Sequence, residues 1–427
     1  MNKYYITNEN IDLKYYPNYS FEIGDVDGDG RMEFLSMDHT ATLLSVHNLK
    51  GELLFERSLD NTGSWGTALI GVADIDGNGR DEIIVPDGEY IVAFDGEGNK
   101  IREYKHNATR VDGYGISVPL IGAARIKSLD EWSIVACIAG GIVVALDSDF
   151  NKIWKVDGFL NDYGHEIFIA DVDGDGLDEI CFSSVTDSGR GPEKVNVGEQ
   201  ILLDHDGTVM LRKRVESFYE YDNHFDDIAM ADFLGDGTCQ ILLEKGILID
   251  LKGNVIWDIS NQFAHGQWIA HTPNPNGKGE LVFISELWGD AMKSMLFTGD
   301  GKKIKDIGGM PWPVFNTAEQ KAMNATPLPS RCHVVKWGGT ESSPEFFLTQ
   351  QAHVSGSPET FSFELVALFI DERGNLAGKL PFTDSRIKEY FYNGEVHSRV
   401  ADVDGDGEQE IVFTKQDGHV MIIKKKI

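Results

Sequence analysis

No stretch of this chain is apolar for long enough to cross a membrane as a helix. The most apolar run, Ser133 to Leu146, reads SIVACIAGGIVVAL and is interrupted by Gly140-Gly141. A buried hairpin is the expected structure there. Cysteine is scarce, four residues in 427, and Cys137, Cys181, Cys239 and Cys332 lie mostly inside apolar runs. That argues against a disulfide framework and for free buried thiols in a reducing compartment. Positive charge is also short: 38 Lys and Arg face 69 Asp and Glu, a formal net charge of −31. Nucleic acid is thereby excluded as a partner, because phosphate recognition needs basic surface. The opening MNKYYITNENIDLKYY lacks the apolar core of a secretion signal, so a cytoplasmic location is expected. Proline is modest at 13 residues and the aromatic share is 10%, a globular and not a disordered composition.

What the chain does have is one acidic decapeptide written four times. It reads DVDGDGRMEF from Asp25, DIDGNGRDEI from Asp74, DVDGDGLDEI from Asp171 and DVDGDGEQEI from Asp402. A short alternating apolar run precedes each copy and a β-rich run follows it. Another strand and a glycine turn come next, and often a last strand, as in Lys152-Ile-Trp154 and Val255-Ile-Trp257. Weaker copies fill the gaps, the plainest being Asp232-Phe-Leu-Gly-Asp-Gly237. Four strands per unit, with starts near 25, 74, 124, 171, 232, 272, 335 and 402, mean an all-β propeller. Eight blades in a single domain, residues 1–427, are expected, with seven as the alternative. The last unit runs out of chain before its fourth strand. An N-terminal strand, from Lys3 to Ile6 or from Ile11 to Tyr15, is expected to close the ring.

The decapeptide has the chemistry of a metal loop. Oxygen donors fall at positions one, three, five and nine: Asp25, Asp27, Asp29 and Glu33; Asp74, Asp76, Asn78 and Glu82; Asp171, Asp173, Asp175 and Glu179; Asp402, Asp404, Asp406 and Glu410. Glycines at four and six let the chain wrap a small sphere. So many carboxylates repel one another without a cation. A hard ion taking six to eight oxygens fits, so calcium is expected, about four ions in all. The EF-hand is excluded, since it needs a glutamate at twelve and the residues there are Ser36, Val85, Phe182 and Phe413. The fifth copy keeps only Asp232 and Asp236. These loops join strands, so they speak to architecture and not to activity.

Chemistry is expected at one mouth of the central channel, beside the start of each inner strand. The window five to nine residues before each repeat holds Trp65, His165, Asn223, His224, His265 and His397, and Arg331 precedes a weaker unit. Tyr163, Trp268, Trp288 and Trp312 could stack on sugar rings. Asn161, Asp162, Glu166, Glu286 and Asp290 could bind hydroxyls. Arg331 and Arg399 could pair with a carboxylate. Trp154 and Trp257 read as core.

Gly164-His165 running into Ile169-Ala-Asp-Val-Asp-Gly-Asp-Gly176, then Leu202-Leu-Asp-His-Asp-Gly207, Asn223-His224, Ala264-His-Gly266 and His271 resembles the rhamnogalacturonan lyases of polysaccharide lyase family 11. The resemblance implies a calcium-binding eight-bladed propeller that cleaves an acidic oligosaccharide or polysaccharide by β-elimination. It makes His165, His224 and His265 candidates for base or ligand of a further, catalytic metal, with Arg331 and Arg399 binding the uronate carboxylate. Two other readings stand beside it: a non-catalytic calcium-stabilised propeller that binds carbohydrate or protein, and a glycoside hydrolase using Glu166, Glu286 or Glu395.

Overall fold

The computed structural model describes residues 3–15, 17, 20–38, 40–61, 68–108, 118–185, 198–215, 227–263, 265–288, 294–307, 332–338, 342–356, 360–387, 398–415 and 417–426. For 10, 215, 265–267, 287, 288, 350–356, 360–365 and 383–387 only the backbone is described. Thirty-two strands, β1 to β32, form eight four-stranded antiparallel sheets, and one short 3-10 turn at Ser260–Gln262 is the only helical element among the described residues.

The innermost strands are β2 (Phe21–Gly24), β6 (Gly71–Ala73), β10 (Leu120–Ser128), β14 (Asp162–Ala170), β18 (Ile228–Ala231), β22 (His265–Pro273), β26 (His333–Val335) and β30 (Ser398–Ala401). Each touches the next, and β30 touches β2, so the blades close into a ring around a channel. β2, β6, β14, β18 and β30 each end at the residue before a repeat starts, as the alternating apolar runs imply, whereas β10 and β22 run past the weaker starts near 124 and 272. Middle strands read as continuous apolar runs because neighbouring blades cover both their faces. In β7 (Glu82–Asp87) the first five residues are all buried. Outer strands are more open: in β13 (Lys152–Asp157) Lys152, Lys155 and Asp157 are exposed and Ile153, Trp154 and Val156 half-buried. Ser133 to Leu146 forms β11 (Glu131–Ile138) and β12 (Ile142–Leu146), joined through Gly140 and Gly141 at φ of 92° and 76°.

Closure follows the expectation. In the eighth blade β30, β31 (Glu410–Thr414) and β32 (His419–Lys425) are completed by β1 (Tyr4–Asp12), which pairs antiparallel with β32. Tyr4 anchors it. Its ring stacks on Phe369 of the seventh blade at 3.7 Å and 5°, and its hydroxyl donates to Glu345 Oε2 at 2.9 Å. None of the four cysteines is in a disulfide; Cys137, Cys181 and Cys332 are buried and Cys239 half-buried.

Antiparallel order gives the ring two unlike faces. Connections from first to second strand and from third to fourth lie on one face; the remaining connections lie on the other. The decapeptides belong to the first face. So does a second repeated device, a turn such as Asp95 to Asn99, where Asp95 Oδ1 accepts the amides of Glu97 and Asn99 at 3.1 and 2.7 Å. Trp154 and Trp257 are half-buried here and not core as expected. Each packs on the next blade's turn, against Gly207 and Gly301, and donates its indole N–H to His205 O at 2.8 Å and Gly299 O at 3.0 Å.

Candidate functional site

The decapeptide loops share one geometry. In the first, both oxygens of Asp25 accept backbone amides, of Gly28 at 2.8 Å and Gly30 at 3.0 Å, and Glu33 Oε2 accepts Val26 N at 3.1 Å. The third repeats this with Asp171, Gly174 and Gly176 at 2.7 and 3.0 Å, and Glu179 to Val172 N at 2.7 Å. The second and fourth follow suit through Asp74 and Glu82 and through Asp402 and Glu410. The backbone thereby turns the carboxylates inward.

Ligand oxygens of Asp25, Asp27 and Asp29, of Asp74, Asp76 and Glu82, of Asp171, Asp173 and Glu179, and of Asp402, Asp404 and Asp406 lie within 4.8 Å of one another in each set. The glutamates at position nine are buried. Burial first, then the neighbouring aspartates, pushes Glu33 up to about 7, and burial does the same for Glu82 and Glu179. Glu179 Oε1 is buried with no hydrogen-bond partner. A hard divalent ion would complete that acceptor and offset the repulsion, so the residues fit calcium. His205, which sequence reasoning missed, adds a nitrogen there: Asp175, Glu179 and His205 also lie within 4.8 Å. The fifth loop keeps the turn with only two of the acids. Asp232 accepts Asp236 and Gly237 amides at 3.0 and 2.8 Å, and Gln240 takes the glutamate's place on Leu234 N at 3.2 Å.

The loops join strands within a blade, as expected, and also bridge blades. Position eight reaches backwards. Asp81 accepts Asp25 N at 2.9 Å, Asp178 accepts Arg125 N at 2.7 Å and Gln409 accepts Lys336 N at 2.8 Å.

Three inner strands have nine described residues, β10, β14 and β22, whereas β2, β18 and β30 have four. β10 runs on towards the decapeptide face, whereas the added length of β14 and β22 lies towards the opposite face. Their extensions reach the mouth, and both are bulged. In β14 the register slips between Tyr163 and Ile167, around His165. In β22 it slips between His265 and Gly266 and again before Trp268. Bulges re-aim side chains and gather beside active sites. His165 is half-buried, and His265 opens β22, opposite Trp288. Glu286, 1% exposed, stands across from Gly266.

Between these blades sits a group that sequence reasoning missed. Glu244 and Lys245, 0% and 3% exposed, form the turn between β19 (Gln240–Leu243) and β20 (Ile247–Asp250). Asp227 Oδ2 accepts Ile269 N of β22 at 2.7 Å, and Asp227 O accepts Glu244 N at 3.2 Å. Buried charge is costly and marks functional sites. The available signal was two charges between apolar strands, ILLEKGILID from Ile241.

Three expected residues are elsewhere. Tyr163 is 5% exposed, and its hydroxyl donates to Ile138 O and Ile142 O at 3.1 and 2.7 Å, so its ring is inter-blade core and not a sugar platform. Trp268, 3% exposed, is packed with Phe283 and Phe346 in the same way. Arg399 has found a carboxylate inside the protein: its Nε lies 2.8 and 2.9 Å from the Glu22 oxygens. Both line a cavity of about 470 Å³ in the channel, with Asp81 and Met32. His224, Arg331, Trp312 and His397, like Trp65 and Asp290, lie outside the described residues, as do the side chains of His265 and Trp288.

The fold and its loops define an eight-bladed β-propeller built from acidic loop repeats, and residues 25–85 match the model of the FG-GAP-like repeat. The chain is 25% identical over 354 residues to the rhamnogalacturonan exolyase YesX of Bacillus subtilis (strain 168), covering 66% of this chain and 55% of that protein. It therefore spans little more than half the length of that relative. The crystal structure of YesX, an exotype rhamnogalacturonan lyase, superposes with a TM-score of 0.62 at 18% identity over 99% of this chain and 76% of that one. The Bacillus licheniformis rhamnogalacturonan lyase PL11 follows at 0.58 and 17%, over 100% of this chain and 76% of that one. BamB from Moraxella catarrhalis shares the fold at a TM-score of 0.56 and 9% identity, over 98% of this chain and 99% of its own. Among the described residues no helix is long and apolar enough to cross a membrane.

Proposed function

We propose that this chain is a polysaccharide lyase that cleaves a uronate-containing glycan of the rhamnogalacturonan kind by β-elimination. The observation that carries the reading is the pair of bulged inner strands, β14 and β22, which bring His165 and His265 to one channel mouth beside Glu286 and the buried Glu244–Lys245 turn. The similarity to YesX supplies the substrate class.

The chemistry asks for two things. The C5 proton of a uronate is weakly acidic until its carboxylate is neutralised by a cation. A base within reach then takes that proton. The freed electron pair forms the C4–C5 double bond, the C4–O bond breaks, and the leaving oxygen takes up a proton. His165 or His265 serves as base, with His224, which precedes β18 in sequence, as the third candidate. Lys245, buried in the turn between β19 and β20, is the candidate cation from the blade between, and Arg331 precedes the seventh blade in sequence. Calcium in the decapeptide loops belongs to the opposite face and holds the scaffold; there it would neutralise Glu33, Glu82 and Glu179.

Incubation with rhamnogalacturonan I, its oligosaccharides and other uronate glycans tests this, following the ultraviolet absorbance of the unsaturated uronate product. Absorbance should rise, and should stop rising in His165→Ala or His265→Ala. Folded protein that yields no unsaturated product from any of these glycans would overturn the lyase reading.

A further inference from the structure

The four decapeptide loops are alike in sequence but not in surroundings. In the fourth, Lys424 Nζ lies 2.9 Å from Asp404 Oδ2, 2.5 Å from Asp406 Oδ2 and 2.8 Å from Glu410 Oε1. Those are the carboxylates at positions three, five and nine. The lysine side chain is 11% exposed and Glu410 is fully buried. Among the described residues, no lysine or arginine forms an ion pair with the corresponding carboxylates of the other three loops.

The difference has a topological cause. Glu410 is followed by Ile411, which pairs with Ile423, so Lys424 comes to stand opposite Glu410. In the first, second and fourth blades the equivalent residues are Asn48, Asp95 and Asp204, which begin the turn into the fourth strand. The eighth blade has no such turn, because its fourth strand is β1. The position is released from turn duty, and a lysine there points into the loop. Its neighbours hold it in place: Ile423 is fully buried, and Lys425 is ion-paired with Glu345 at 2.5 Å.

We propose that the ammonium of Lys424 is the resident cation of the fourth loop, so that this loop excludes the divalent ion the other three take. The inference rests on the calcium reading of those three. An ammonium in contact with three carboxylates occupies the space in which calcium needs six to eight oxygens at about 2.3–2.6 Å. A tethered cation gives up side-chain rotamer freedom in place of the translational freedom a captured ion loses. The closing blade is thereby assembled without metal. The sixth unit handles its buried glutamate in a related way. Pro273 offers no amide there, and Glu280 Oε2 lies 3.0 Å from His271 Nδ1 instead.

Native mass spectrometry of chelator-stripped protein refilled with Ca²⁺, together with amine labelling read by peptide mass spectrometry, decides the matter. Asp173→Asn should lose one bound ion, Asp404→Asn none, and Lys424→Met should gain one. Lys424 should label several-fold more slowly than exposed Lys252 in chelator, and calcium should not speed it. Loss of an ion in Asp404→Asn, or calcium-accelerated labelling of Lys424, would overturn the inference. If Asp173→Asn keeps its ion count, the calcium reading itself fails. Labelling in chelator then decides alone: protection of Lys424 sustains the resident ammonium, and reactivity equal to Lys252 overturns it. Asp404→Asn keeps the test open if Lys424→Met does not fold.

Discussion

Asp81 of the second blade and Asp25 of the first hold each other by their backbones and by one side chain. Asp81 N donates to Asp25 O at 2.9 Å, and the Asp81 carboxylate accepts Asp25 N at 2.9 Å. Asp178 and Arg125 repeat the pair between the third and fourth blades, at 3.1 and 2.7 Å. The acid at position eight is thus a lateral staple, distinct from the ligand positions on either side of it.

Removing the staple leaves a backbone amide without its acceptor. Asp81→Ala and Asp178→Ala should each lower stability by about 1–3 kcal/mol, and Asp81→Asn, which keeps an oxygen, by less. Chemical denaturation measures this. The two sites share no partner, so the double variant should show the sum of the single losses.

Much of the ring was legible because it is periodic. The start of each of the clearer repeats marked the end of an inner strand, and the missing fourth strand of the last unit pointed to the N-terminal segment. What the sequence could not show was lateral. Arg399 read as a free carboxylate binder because its partner Glu22 is 377 residues away. Tyr163 and Trp268 read as sugar platforms because an aromatic beside a histidine looks the same whether its face is open or packed against the next blade. The bulges of β14 and β22 were invisible, since a slip in register depends on the partner strand. Lys424 lay fourteen residues beyond the loop it enters, outside any motif.

Calcium should bind the first three loops and stabilise the fold by mass action. At an ion concentration one hundred times its Kd, each site adds about 2.7 kcal/mol. Thermal unfolding in chelator and in rising calcium should therefore show a climbing Tm. Asn78→Asp restores a fourth carboxylate to the second loop and should tighten that site, since ligand charge tunes affinity. Calorimetric titration reads the change.

Ring closure should be sensitive at Tyr4. Its ring is 2% exposed, in a cluster with Trp337, Phe347, Phe369 and Phe413. Tyr4→Ala should cost about 3–5 kcal/mol through the cavity it leaves. Tyr4→Phe should cost less, because Trp337 Nε1 and Lys425 Nζ still hold Glu345, at 2.8 and 2.5 Å. Denaturant midpoints of the two variants separate packing from the hydroxyl.

Acid should weaken the second blade through His106. Burial lowers its pKa to about 4, and its Nδ1 accepts Ala108 N at 3.0 Å, a bond only the unprotonated nitrogen makes. The unfolded chain takes the proton near 6.5 and the folded chain only near 4, so the unfolded state binds more protons between these values. The contribution is fully present above pH 6.5 and is lost as pH falls towards 4. Denaturation at pH 7 and pH 5 should show this slope, and His106→Asn should flatten it.

The pairing of β1 with β32 has a consequence for the order of assembly. During synthesis β1 leaves the ribosome long before its partner exists, and Thr7 bonds to Ile422 across 415 positions of sequence. Contacts of such span carry a loop-closure cost and make folding slow. Until β1 arrives, β32 shows an unpaired edge that another chain could join. Dilution and a chaperone that shields open strand edges should therefore raise the refolding yield more than any change to the mouth of the channel.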